Sequence, residues 1–174
     1  MKQLGLLIIL AAPLLFGQMC GTTGPVQQED SRIAAGVYTG PITCSAKYES
    51  PYQSQTNSSQ YSYSVAISDN GIPIDSSGAE YHVGSLRQDT QGITTTTTQT
   101  TQLLVDGGHV VVHGKASLVY DYTDLPDGIF SGSQVEEYSQ VADSALDYNA
   151  ALVVTSTDDG STTITIQCLG TLTR

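Results

Sequence analysis

From residue 36 to the C-terminus the apolar side chains recur at every second position, and this alternation leaves few folds open. Tyr61, Tyr63, Val65 and Ile67 alternate with Ser62, Ser64, Ala66 and Ser68. Val110, Val112, Gly114, Ala116, Leu118, Tyr120 and Tyr122 share one parity over 109–122. Leu146, Tyr148, Ala150, Leu152 and Val154 do so over 144–157, and Ile164, Ile166, Cys168, Gly170 and Leu172 over 161–173. Side chains two apart point the same way in a strand, so each segment presents one apolar and one polar face. Helix-period patterns are nearly absent after residue 35.

Turn chemistry separates the segments. Asp69-Asn70-Gly71, Asp106-Gly107-Gly108 and Asp158-Asp159-Gly160 are hairpin signals, because Asn and Gly accept the positive φ of tight turns. Pro126-Asp127-Gly128 is a fourth turn, and 49–60 reads as a mobile loop. Weaker alternation near 36–47, 79–89, 91–105 and 129–141 brings the count to about eight strands. Hairpins without crossover helices imply an all-β antiparallel meander. Its apolar face must be covered, by closing into a barrel or by stacking as a β-sandwich. The barrel is favoured, because a meander needs no Greek-key connection and closure removes edges. The expected domain, 36–174, is lipocalin-like in general shape only, since that family's G-x-W start is missing.

The cysteines fit closure. Cys44 is in phase with Ile42 and Ala46, and Cys168 with Ile166 and Leu172, so both point to the apolar side. A disulfide needs Cα atoms within about 7 Å, so pairing Cys44 with Cys168 sets the first and last strands side by side. With an even strand number those neighbours are antiparallel. Gly40 and Gly170, near the cysteines, ease the bending of a small barrel.

The N-terminus carries an address. Lys2 precedes an apolar stretch from Leu4 to Phe16, followed by Gly17-Gln18-Met19-Cys20-Gly21. At 1.5 Å per helical residue the stretch spans roughly 20 Å, short of a ~30 Å hydrocarbon core. A charged start, a short apolar core and a cysteine at the cleavage point mark export. The segment resembles bacterial lipoprotein signal peptides over residues 1–21. That resemblance implies a signal peptide at 1–19 and lipidation of Cys20, which becomes the mature N-terminus. The odd cysteine is then accounted for. Residues 20–35 read as a flexible tether between membrane and domain. Cleavage without lipidation would instead release a secreted protein.

The formal charge is −11, from 6 basic and 17 acidic residues. No basic cluster exists, so nucleic acid is a poor partner. The scattered acids read as a solvated exterior. His109 and His113 sit four apart on a strand, about 13 Å from each other, too far to share a metal with ~2 Å bonds. His82 is isolated. Asp121, Asp124 and Asp127 lack an EF-hand's Gly and Glu. Glu136 and Glu137, adjacent on a strand, face opposite ways and make no acid/base pair. No nucleophile elbow or nucleotide-binding motif occurs. Neither cofactor nor metal is expected. The run Thr94 to Thr98 suggests an edge strand or a section extending beyond the core.

Ten tyrosines and no tryptophan remain. Tyr61, Tyr63, Tyr120, Tyr122 and Tyr148 lie on the expected apolar faces. They either pack the barrel, hydroxyls to water, or line a small cavity as ligand contacts. The expectation is an exported, lipid-anchored cell-envelope protein with a structural or interaction role and no catalysis. The alternatives are a binder of a small apolar or aromatic ligand in the barrel interior and, behind it, a hydrolase with a dispersed site.

Overall fold

The computed structural model describes residues 32–75, 77–91, 94–120, 128–158 and 160–174. Nine strands form one antiparallel sheet: β1 (Gly36–Glu49), β2 (Ser54–Ile67), β3 (Pro73–Ile74), β4 (Leu86–Gln91), β5 (Thr94–Asp106), β6 (His109–Tyr120), β7 (Gly128–Ala142), β8 (Ala145–Ser156) and β9 (Thr163–Thr173). Their order is β3-β2-β1-β9-β8-β7-β6-β5-β4, so the first and last full strands are neighbours inside the sheet. The sheet is strongly curled into a half-barrel. Among the described residues there is no helix, and so none long and apolar enough to cross a membrane.

The β1–β9 pair is joined as its sequence implies. Cys44 opposes Cys168 and the two are disulfide-bonded, with Cα atoms 4.0 Å apart. Gly40 and Gly170 lie on the same two strands. A Cβ at Gly40 would stand 2.6 Å from the Thr171 carbonyl oxygen, and one at Gly170 would stand 2.5 Å from the Pro41 carbonyl oxygen. The bare backbone at both positions lets β1 and β9 approach closely where the sheet bends.

Closure differs from the expectation. The first and last strands do pair, but the seam opens elsewhere, between β3 and β4. The reason is local. The expected strand at 79–89 forms only from Leu86, with two turns ahead of it. Asp75 Oδ1 accepts from the backbone N–H groups of Ser77 and Ala79, and Gly78 takes a φ of 83°. His82 and Ser85 close the second turn. Pro73, with no N–H to give, stands in the two-residue β3 that meets β2 at Ala66 and Ile67. Because every pairing is antiparallel, β3 and β4 run the same way, as two pieces of one interrupted strand. Without β3 the sheet has eight full strands, the even number that sets β1 against β9 antiparallel.

Two further segments differ. Residues 54–60, expected in a loop, extend β2 and pair with β1 down to Ser54↔Glu49. Alternation is invisible there because every residue from Ser54 to Ser62 is exposed. The threonine run is no edge, since β4 covers its strand along Leu86↔Gln99 to Gln91↔Thr94.

The concave face carries two apolar clusters. Ile33, Tyr38, Val65, Ile67, Val110, Tyr138, Leu146 and Leu172 pack at the end that holds the 68–72 and 107–108 turns. Leu118, Phe130, Leu152, Val154 and Ile164 pack toward the opposite end. The alternating parities of β1, β2, β6, β8 and β9 are those the apolar pattern implies.

Two outcomes test the β1–β9 pair. Reducing the disulfide releases a constraint across 124 residues of sequence, which the chain-entropy model values at roughly 5 kcal/mol. Urea melts with and without reductant are expected to differ by a large part of that amount, and coincident curves would contradict it. Gly170→Ala is expected to cost about 1–3 kcal/mol by forcing β1 and β9 apart, read by the same melts.

Candidate functional site

The site begins with the register of the sheet. One row runs Glu136, Ala150, Cys168, Cys44, Ser59 from β7 to β2. Its middle positions are small. The row on one side reads Tyr138, Tyr148, Gly170, Ile42, Tyr61, and the row on the other reads Gln134, Leu152, Ile166, Ala46, Asn57. Small side chains between larger ones leave a hollow. It is a cleft of about 530 Å³, open on one side. Its floor holds Ile42, the Cys44–Cys168 bridge, Ala150, Leu152 and Ile166, and its walls hold Tyr61 and Tyr63 from β2 and Asp89, Thr96 and Thr98 from β4 and β5.

Of the tyrosines singled out in the sequence, three meet here. Tyr63 stacks on Tyr148, with ring centroids 4.6 Å apart and planes at 26°. Tyr61 stands nearer the mouth, 46% exposed. Tyr120 ends β6, and Tyr122 lies outside the described residues, as do Cys20, Asp121, Asp124 and Asp127.

Beside the hollow lies a buried polar layer. Glu136 is 2% exposed although charged. Arg87 Nη1 reaches Glu136 Oε1 at 2.8 Å and donates to the Tyr81 hydroxyl at 2.6 Å. Tyr138 donates to Glu136 Oε2 at 2.6 Å, and Gln134 Nε2 donates to Oε1. Thr98 in turn donates to Gln134 Oε1 at 2.6 Å. Every buried side-chain polar atom among the described residues has a partner. Burying a carboxylate is costly unless it is paired and hydrogen-bonded, and both conditions hold here.

The strand β7 that supplies this layer reverses the simple apolar rule. Gln134, Glu136 and Tyr138 point inward, while Ile129 and Val141 are exposed. Sequence reasoning missed Arg87, Gln134 and Tyr138, and weighed Glu136 only against Glu137. The two glutamates do face opposite ways: Glu137 accepts from Asn149 Nδ2 at 3.1 Å on the outer surface. The available signal was parity. Phe130 and Tyr138, the aromatics of β7, share Glu136's parity, so the polar positions between them belong to the concave face.

Burial first, and then the negative charge of Glu136, push the hydroxyl pKa values of Tyr63, Tyr81, Tyr138 and Tyr148 upward. Three donors hold the Glu136 carboxylate in place, so the layer holds shape. Ser85 Oγ lies 2.9 Å from His82 Nδ1. Ser85 is buried, and its Oγ also accepts from the His82 backbone N–H, the geometry of a turn. His109 and His113 stay on β6, away from the cleft lining. No family model, curated protein or solved structure matches the chain.

The raised tyrosines set a pH dependence. Tyrosine is neutral when protonated, so a raised folded pKa stabilises the fold below the unfolded value of about 10. That stability is lost as pH rises through the folded values. Spectrophotometric titration is expected to show these four hydroxyls ionising above the ordinary tyrosine value of about 10. Their ionisation near pH 10 in the folded state would refute it. Arg87→Met strands Glu136 and is expected to cost about 3–5 kcal/mol, with much of the loss recovered in the Arg87→Met/Glu136→Leu double variant.

Proposed function

We propose that this chain is an exported cell-envelope protein, held to the membrane by a lipid on Cys20, that binds a small apolar or aromatic ligand in its half-barrel cleft without catalysis. One observation carries the reading: a row of small inward residues, Ala150, Cys168 and Cys44, opens a hollow of about 530 Å³ where a simple barrel would be filled. That volume lies in the usual range for small-molecule sites, as does an apolar floor with a few polar groups at its rim. The stacked Tyr63 and Tyr148 offer aromatic surface beside it. The disulfide is compatible with an oxidising compartment, in line with export.

The proposal assigns the cleft binding alone; among the described residues its lining has no histidine. The buried carboxylate is fully occupied by Arg87, Gln134 and Tyr138. A structural or interaction role at the envelope remains compatible with the same cleft, since a binding protein tethered to a membrane presents its ligand there.

The reading has a direct test. The neutral aromatic dye N-phenyl-1-naphthylamine is expected to gain fluorescence on binding, and Ala150→Phe is expected to remove that gain while leaving the melting transition in place. Fluorescence unchanged by the substitution would move the site out of the cleft. The anchor is tested separately. Cys20→Ser is expected to shift the exported protein from the membrane fraction to the soluble one and to abolish incorporation of labelled palmitate, and palmitate retained in that variant would refute lipidation at Cys20.

A further inference from the structure

The open seam is bounded by two sheet edges that differ in kind. On one side is β4, whose residues Arg87 and Asp89 turn charge toward the cleft. Inward-pointing charge is one way in which proteins blunt an edge. On the other side is β2. Its ladder with β1 runs from Ser54 to Ile67, but on its far side it meets only β3, at Ala66 and Ile67. Residues 54–65 therefore present, among the described residues, an edge with no strand partner. Their sequence, SQTNSSQYSYSV, has no charge, no proline and no glycine. The segment itself carries none of the charges or prolines that usually block an edge.

The inner face beside that edge is vacant too. Asn57, Ser59 and Tyr61 line the cleft and are exposed, and among the described residues none stands between them and the wall formed by Asp89 and Thr96. A strand laid along β2 would sit about 4.8 Å from it and would turn alternate side chains into the hollow. The hollow, with its apolar floor, is then a set of side-chain pockets, and the free N–H and C=O groups of β2 supply the main-chain ladder.

Charge chooses the occupant. The chain carries a formal −11, which opposes a second copy of itself at this edge. Arg87 is already paired with Glu136, which leaves Asp89 as the cleft's unpaired ion among the described residues. A neutral or basic peptide suits that surface.

We propose that the seam between β2 and β4 accepts an extended neutral-to-basic peptide as an added strand on β2, with alternate apolar or aromatic side chains in the cleft. The proposal rests on the cleft being a binding site and names the class of ligand that fills it.

The test uses the full mature chain and a short capped peptide in which Thr alternates with Val and Tyr, with Lys at each end. A second peptide of the same sequence carries N-methyl groups on alternate residues, which removes main-chain donors and keeps the side chains. Amide hydrogen exchange across residues 54–65 is read with and without each. The unmodified peptide is expected to slow exchange in 54–65 by at least tenfold, and the methylated one to leave it unchanged. Asp89→Asn is expected to weaken the unmodified peptide about two- to fivefold, an effect that disappears at high salt. Absence of protection at millimolar peptide, or equal protection by both peptides, overturns strand addition. Naphthylamine dye binding that persists in either case leaves the cleft reading standing and removes only the peptide, whereas loss of both removes the site.

Discussion

The pairing of β1 with β9 is the constraint from which the rest of the molecule follows. It joins the two ends of the domain within the sheet, through a ladder that runs from Thr39↔Thr173 to Glu49↔Thr163. Such a contact is the most costly for a chain to form, because the intervening loop must close first. The disulfide offsets much of that cost once made, and Gly40 and Gly170 remove the side chains that would hold the strands apart. With the ends fixed to each other, the remaining hairpins curl around them, and the sheet's two free edges come to face one another across the seam.

The polar layer shows a second level of specification. Arg87 comes from the interrupted strand β4, and Glu136, Gln134 and Tyr138 from β7 across the concave face. Their bonds tie the seam strand to the opposite wall, where no backbone ladder can reach. A buried ion pair contributes little net stability against an apolar replacement, but it penalises any arrangement that leaves one partner alone. The layer therefore fixes where β4 lies, and with it the width and lining of the cleft. Tyr63, Tyr81 and Tyr148 pack together in the apolar cluster beside it.

Much of this architecture is legible in the sequence, and particular residues show why. Strands with one clean apolar parity, such as Val110 to Leu118 and Leu146 to Val154, declare both their existence and their inward face. The disulfide followed from the parity of Cys44 and Cys168 together with the strand count. The Gly71, Gly107 and Gly160 turns were signalled by their neighbours, and all three take positive φ. Where the pattern is flat the reading failed. Ser54 to Gln60 is polar on both sides, so no alternation distinguishes a strand from a loop. On β7 the exposed Ile129 and Val141 compete with the inward Phe130 and Tyr138, and the apolar rule alone cannot choose between them.

Local chemistry along the chain thus specified an all-β antiparallel domain, its turns, its apolar faces and the sulfur bridge between its ends. All but the bridge are properties of neighbours two residues apart or of single residue types, and the bridge follows from two such parities and the count of strands between them. The seam, the buried Arg87–Glu136 pair and the hollow at Ala150 became visible only in three dimensions. Each arises from residues on strands far apart in sequence, brought to one height by register and curl. A charged side chain on a strand looks the same in sequence whether it meets water or a partner across a barrel, and only the fold supplies the partner.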